Sequence, residues 1–261
     1  MATSFNWNHC GYKETIMHPR SNSLFHFTKS LNKLSEILKY GFWPRYCLED
    51  IQWGGLSEEY AAFPMVCFCD IPISRISEHV DFYGSFGIGL SKEWGIKNNL
   101  NPIMYVTGRN PVHAALESLT AMVRALSDES SKQKGLRSLR YILAHTKPMS
   151  GRMIVSDALV TKDFYQESEW RFVPSDYSIK DHLLYKEYND NERIKFLNDA
   201  TKDFCQLKFS PSDVRYIFVP ADSDIPVVIN FLLTELEEFA SDELKVLMSR
   251  VISLERIQLD L

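Results

Sequence analysis

Leu24-Phe25-His26-Phe27-Thr28 sets one polar ring between two aromatics, and its apolar, aromatic-rich composition is that of a strand. The amphipathic segment that follows predicts a helix over 30–40. Leu31, Leu34, Ile37 and Leu38 fall on one face, Thr28 or Ser30 is placed to cap the N-terminus, and Gly41 stops the helix. A strand that delivers an imidazole beside a helix N-terminus suits an anionic or nucleotide-like ligand. The same pattern fits a core strand with one hydrogen-bonded histidine, so both readings stay open at this point.

Outward from this unit, Phe63 to Cys69 (FPMVCFC) reads as a buried strand, and a short helix is expected over 73–80. Residues 85–90 (SFGIGL) read as a strand with glycine where another group comes close. Ser91 is placed to cap a helical turn through Trp94, and 103–106 is a further strand. From Pro111 to Thr146 the pattern is helical, with a polar break at 127–135. Strands are expected at 153–155, 169–173 and 214–219, loop plus helix over 180–204, helices over 225–237 and 242–250, and an end strand near 251–258. Residues 1–22 are expected to be an irregular arm. Strands scattered among helices without strict alternation indicate an α+β fold, not a doubly wound parallel sheet. The absence of repeats, low-complexity tracts and linkers makes a single domain over 1–261 the expectation.

The chain has 261 residues, 45% hydrophobic and 24% charged, which is ordinary for a globular protein with a sizeable core. A net charge of −5 argues against a surface that binds nucleic acid non-specifically throughout. Five cysteines, with Cys67 and Cys69 inside an apolar run, do not suggest a disulfide framework. A cytoplasmic location is expected, since the N-terminus lacks a basic segment followed by an apolar stretch. The apolar run 225–233 is interrupted by Asn230 and too short to span a bilayer.

Two segments carry candidate chemistry. Between Asp81 and Ser91, three glycines and three aromatics would let a flat ring lie against backbone and stack on Tyr83 or Phe86; a tightly packed central strand selects the same composition. In Gln166-Glu167-Ser168-Glu169-Trp170-Arg171-Phe172, period-2 alternation puts Glu167, Glu169 and Arg171 on one face and Trp170 and Phe172 toward the core. The alternative there is an exposed ladder in which Arg171 balances the glutamates at a sheet edge. Cys67-x-Cys69, with Cys47 and His79, lacks the spacing and the second pair of a zinc site, so no metal is expected. Arg140 and His145 match a short ribonuclease pattern of all-helical proteins that does not fit a chain rich in strands. Lys132, Lys134, Arg137, Arg140, Lys147 and Arg152 make the middle segment locally basic.

These segments resemble the AbiGi family, antitoxins of bacterial abortive-infection systems that exclude phage. The resemblance is carried by FHFTKSLNKLSEILKYGFWPRYCLEDI (25–51), FPMVCFCDIPISRISEHVDFYGSFGIGLSKEWGI (63–96) and ESEWRF (167–172), and extends over about two-thirds of the chain. His26-Phe27-Thr28 and the following leucines also look like the opening of DarT-type ADP-ribosyltransferases. That second likeness implies a split β-sheet core with flanking helices and a helical insertion around 111–146. It also implies NAD as substrate. His26, Tyr83 and Glu169, with Glu167 beside it, would then converge on one cleft as the catalytic groups. His26, Phe27, Thr28, Tyr83, Gly84, Phe86 and Ser91 would hold the dinucleotide.

Cleavage of the nicotinamide–ribose bond develops oxocarbenium character that Glu169, bonded to the ribose 2′-hydroxyl, would stabilise. His26 would anchor the adenosine-side ribose or the carboxamide, Tyr83 would stack on nicotinamide, and Glu167 would orient the nucleophile. The implied function is transfer of ADP-ribose to a nucleic acid or protein during phage infection, or NAD hydrolysis. The competing function is a non-catalytic antitoxin that binds a partner toxin, for which the helices over 225–250 are the expected contact surface. No membrane partner is expected.

Overall fold

The structure, a computed structural model, describes residues 21–54, 59–108, 110–155 and 158–260. Apart from Asn22 and its neighbour Ser21, the expected N-terminal arm lies outside the described residues. The opening unit forms as read: strand β1 (Ser23–Thr28) leads into helix α1 (Leu31–Tyr40). Ser30, rather than Thr28, is the cap, its hydroxyl accepting the Lys33 N–H at 3.4 Å. Gly41, at φ 81°, ends the helix by donating its N–H to the Ile37 carbonyl.

The chain continues through β2 (Arg45–Asp50), β3 (Tyr60–Cys69), α2 (Ile76–Tyr83), β4 (Phe86–Ser91), α3 (Lys92–Lys97), β5 (Asn101–Pro102) and β6 (Met104–Val106). Helices α4 (Pro111–Arg124) and α5 (Glu129–Ala144) then form a hairpin, followed by β7 (Thr146–Pro148), β8 (Ser150–Val155), β9 (Ala158–Asp163) and β10 (Glu169–Phe172). The remainder is β11 (Leu183–Leu184), α6 (Tyr185–Tyr188), α7 (Asn191–Phe204), β12 (Val214–Val219), α8 (Ile225–Glu235), α9 (Ser241–Met248), β13 (Val251–Ser253) and α10 (Leu254–Asp260).

The fold is α+β. The main sheet runs β13-β12-β4-β1-β3-β10-β5, with β2 and β11 also paired to β3, and is antiparallel except between β12 and β13. Strand β3 serves two sets of partners. Its first half pairs with β2 and β11, while its second half pairs with β10 and, at Cys69, with β1. Among the described residues no helix is long and apolar enough to cross a membrane.

One face of the sheet is covered by α1, α3, α8 and α9. Leu34, Leu38, Trp94, Val228, Leu232 and Leu244 pack there on Leu24, Phe68, Ile88 and Ile217. The opposite face carries Phe25, Phe27, Cys69 and Phe218 under Ile76, Leu254 and Ile257. Farther along that second face, Phe63 and Met65 of β3 pack on Leu143 and Ala144 at the end of α5.

The glycines of β4 are explained by this packing. A Cβ on Gly87 would lie 2.5 Å from the Phe27 ring, and one on Gly89 2.9 Å from the Phe25 ring. The flat rings that slide against this backbone are therefore the protein's own, contributed by the neighbouring strand.

The helix expected over 73–80 opens as a 3-10 turn (Ile73–Arg75) and runs to Tyr83, and the strands expected at 63–69 and 153–155 begin three residues earlier. Two further ends differ from expectation for a local reason. The end strand stops at Ser253, whose hydroxyl accepts the Arg256 N–H at 3.2 Å, and a helix follows with Leu254 and Ile257 buried one turn apart. The break between α4 and α5 is shorter than 127–135, because the Asp128 carboxylate accepts the Ser131 N–H at 2.8 Å and starts α5 early. The polar residues after it occupy the helix's outer face.

Candidate functional site

The site begins with the register of β10 on β3. Glu169 lies opposite Cys69 and Arg171 opposite Cys67, so all four side chains project from one face. Trp170 and Phe172 point the other way and pack on the first core cluster. Glu167 precedes the strand, in a 3-10 turn over Phe164–Glu167. Ser168 then adopts a left-handed conformation (φ 45°, ψ 52°), so strand alternation does not place Glu167; the turn does. The two glutamates and Arg171 nevertheless meet, as the alternation had indicated. They do so in the interior and not at an exposed edge: Glu167, Glu169 and Arg171 are 5%, 6% and 0% exposed.

Burial on this scale requires partners, because a lone ion in the interior would neutralise or unfold the site. Arg171 binds Glu169 with two nitrogens, Nε to Oε1 at 2.7 Å and Nη2 to Oε2 at 3.1 Å. Its Nη1 donates to the Ala144 carbonyl at 2.7 Å, and Nη2 also reaches Glu49 Oε1 at 3.1 Å. Lys147, from β7, bridges the two glutamates, 3.1 Å from Glu169 Oε2 and 3.3 Å from Glu167 Oε2. Lys162, from β9, lies 2.6 Å from Glu167 Oε1, which also accepts the Tyr83 hydroxyl. The carboxylates of Glu49, Glu167 and Glu169 thus balance Lys147, Lys162 and Arg171.

These contacts set the protonation states. Burial alone would raise the Glu169 carboxyl, but the Arg171 guanidinium and the Lys147 ammonium outweigh it and hold the group well below the usual carboxylate range. Glu167 is also lowered, burial again being overcome by Lys147 and Lys162. Lys147 is raised, the three carboxylates outweighing its burial. Tyr83 is raised by burial and then by the charge of Glu167, so it stays a phenol and donates. The His79 ring packs at a tilt against Tyr83, 4.4 Å between centroids, and burial lowers its pKa to about 4. A general base poised near neutrality is absent from this set; the glutamates act as fixed negative charge.

The cluster meets solvent at a cleft of about 240 Å³ lined by Arg75, Glu78, His79, Phe82, Lys162 and Glu167. Glu167 and Lys162 form its inner wall, with Tyr83 behind them.

The sequence-predicted residues divide between the two faces. Tyr83, Glu167 and Glu169 come together. His26 does not join them: its Nδ1 lies 2.8 Å from the Cys67 carbonyl and its ring packs against Phe42 and Phe68, on the face opposite Glu169. Alternation along β1 causes this, since Phe25 and Phe27 take the Glu169 face and His26 must take the other. Burial lowers the pKa of His26, which sits neutral in the core.

Among the other residues expected to hold a dinucleotide, Phe27 packs on Phe218 and Thr28 is buried. Gly84 ends α2 against the Thr28 carbonyl, and Phe86 packs on the first core cluster. The Ser91 hydroxyl caps α3 by accepting the Trp94 N–H at 3.2 Å, as its position in the sequence had indicated. Glu49, Lys147, Lys162 and Tyr105, whose hydroxyl accepts the Glu169 N–H at 2.9 Å, complete the site and had not been assigned to it. The signal that could have found them is the charge of ESEWRF, which needs compensation once that strand is central.

Comparison with known proteins places the chain. The family described as "Putative abortive phage resistance protein AbiGi, antitoxin" matches residues 40–220. The abortive phage resistance protein AbiGi of Lactococcus lactis subsp. cremoris is 28% identical over 248 residues, which cover 84% of this chain and 99% of the relative. No solved structure matches.

Two outcomes follow from the cluster. Arg171→Leu strands the charges of Glu169 and Glu49 and is expected to lower stability in urea unfolding by about 3–5 kcal/mol, with part recovered in the Glu169→Leu/Arg171→Leu double variant. A single-variant cost near zero would contradict the arrangement. The second concerns pH. His79 has a folded pKa of about 4 against an ordinary 6.5, so the unfolded chain takes up a proton below 6.5 that the folded chain refuses. Stability therefore falls on acidification through this window, His26 and His145 contributing in the same direction. The depressed glutamates add their own loss only below 4.5. His79→Phe is expected to reduce the fall in urea unfolding free energy between pH 6.5 and 5 by about 1–2 kcal/mol; an unchanged slope would assign the effect elsewhere.

Proposed function

The chain belongs to the AbiGi family of abortive phage resistance proteins, and on that premise we propose that it acts as the antitoxin half of a defence pair, holding a toxin protein by surface contact. The observation that carries this reading is the outer face of α4. Val112, Leu119, Met122 and the following Leu126 are 41%, 46%, 64% and 43% exposed, and with exposed Ala115 they follow a 3–4 spacing. His113 and Leu116 face inward and are already buried. On its outer side the stripe is bordered by the small residues Ser118 and Ala125, and the exposed charges Glu117 and Arg124 lie farther round the helix. A solvated helix usually presents charge on its outer face; this one presents a seam that fits an apolar helix of a partner. The word antitoxin in the family description supports a toxin as that partner.

A second reading is ADP-ribose transfer from NAD to a nucleic acid or protein. The cleft that reaches Glu167, with Tyr83 behind it, favours this reading. The internal pairing of both glutamates weighs against it, as does the position of His26 on the other face.

The two readings separate in paired assays. The tagged chain, co-expressed with the toxin of its own defence locus, is expected to co-purify with it. Leu119→Glu/Met122→Glu is expected to reduce capture at least tenfold while the circular dichroism spectrum is unchanged, since both side chains are largely outside the core. Undiminished capture by that variant would remove α4 from the interface. Incubation with NAD and lysate is expected to release no nicotinamide; release that Glu167→Gln abolishes would favour the enzyme instead.

A further inference from the structure

A cleft larger than the one that reaches the glutamates lies elsewhere among the described residues. It has a volume of about 610 Å³ and lies between α5 and the segment 173–181, lined by Lys134, Arg137, Arg140, Tyr141, Tyr177 and Asp181 among others. Its volume falls within the range of small-ligand sites, about 300–1,000 Å³. Three cations face one carboxylate in a chain whose net charge is −5, so the cleft is opposite in sign to the molecule as a whole.

The polar groups are arranged with capacity to spare. Arg137 donates through Nη2 to the carbonyls of Asp176 (2.7 Å) and Ser175 (3.3 Å), and its guanidinium lies over the Tyr177 ring, 4.0 Å from the centroid. Arg140 is anchored by Nε on Asp181 Oδ2 at 2.7 Å. Among the described residues, neither Lys134 nor Arg137 forms an ion pair, and the terminal nitrogens of Arg140 have no hydrogen-bond partner. Asp176, on the same loop, accepts the Ser178 N–H at 2.7 Å. The site therefore offers cationic donors toward the cleft without a matching set of carboxylates.

The aromatic component is equally specific. Tyr177 is 80% exposed, an unusual state for a phenol already covered on one face by a guanidinium. Its other face is presented to solvent as a flat platform. Tyr141, 38% exposed, lines the same cleft, with Val173 and Pro174 supplying apolar floor. An ordinary solvated helix face would carry the same lysines and arginines but would not gather two phenols around a hollow. Planar rings for a base, cations for a phosphate and a floor without charge are the elements of nucleotide-unit recognition.

We propose that this cleft binds a base joined to a phosphate, the Tyr177–Arg137 stack taking the base and Lys134 and Arg140 the phosphate. The unit could come from a free mononucleotide or from a single strand of nucleic acid, and the test separates the two. It is independent of the toxin-binding reading, because the residues of the cleft lie on α5 and the 173–181 loop and not on the α4 stripe.

The experiment is fluorescence anisotropy of the full chain with a labelled oligouridylate of about ten nucleotides at several salt concentrations, with adenosine monophosphate as competitor. Saturable binding is expected to weaken with salt, and Lys134→Gln to reduce the slope of log affinity against log salt by about one. Tyr177→Ala is expected to weaken binding roughly tenfold or more. That change leaves an exposed position and does not threaten the fold; Lys134→Gln serves as the second variant for the same reason. Displacement by the mononucleotide at comparable concentration identifies the free nucleotide as the ligand. Resistance to displacement, with binding still sensitive to both variants, identifies the strand. Absence of binding at low salt, or binding that neither Tyr177→Ala nor Lys134→Gln alters, would overturn the proposal.

Discussion

The pairing of Glu169 with Arg171 is the constraint around which the second face of the sheet is organised. A guanidinium with 0% exposure cannot be left with unmet donors, and each of its three nitrogens is bonded here: to Glu169, to Glu49 and to the Ala144 carbonyl. Through these bonds one side chain ties β10 to β2 and to the end of α5. Lys147 and Lys162 extend the network to β7, to β9 and to the turn that carries Glu167. Elements distant in sequence are held in one arrangement by a balance of three positive and three negative charges. A buried network of this kind contributes little net stability against an apolar replacement, but breaking one member is costly, which makes it a device for fixing a single arrangement.

The same pairing bears on chemistry. Carboxylates that each accept from two or more donors, and whose pKa values are lowered, do not relay protons near neutrality. They can fix charge and hold shape. The part of the cluster that meets solvent is Glu167 with Lys162, and the phenol of Tyr83 is already committed to that glutamate. The exposed apolar seam of α4 and the basic, aromatic cleft beside α5 lie elsewhere.

Much of the fold could be read before the structure because local signals agreed with the tertiary outcome. The strand at 23–28, the cap at Ser30 and the stop at Gly41 each have a local cause, and the helix pair of the 111–146 region follows from its periodicity. Strand β2, with the sequence RYCLED, escaped notice because its alternation is polar and its pairing with β3 is a long-range choice. The final strand was cut short because Leu254 and Ile257 obey a helical period once Ser253 caps the turn. In the site, the charge pattern of ESEWRF pointed to the right residues, yet alternating Glu and Arg reads alike on an exposed edge and in a buried network. Only the partners Lys147, Lys162 and Glu49, supplied by three other strands, distinguish the two. His26 was legible as a buried imidazole but not as to its side of the sheet, which the register with β4 and β3 decides.

The central claim is that Glu167 and Glu169 are ionised because buried cations surround them. The most direct test is carbon-13 NMR titration of the glutamate side-chain carboxyls in the folded chain, with Glu167→Gln and Glu169→Gln used for assignment. The account predicts two carboxyl resonances whose titration midpoints lie below 4.5, the ordinary glutamate value at which exposed glutamates titrate. Midpoints for these two groups at or above 4.5 would contradict it.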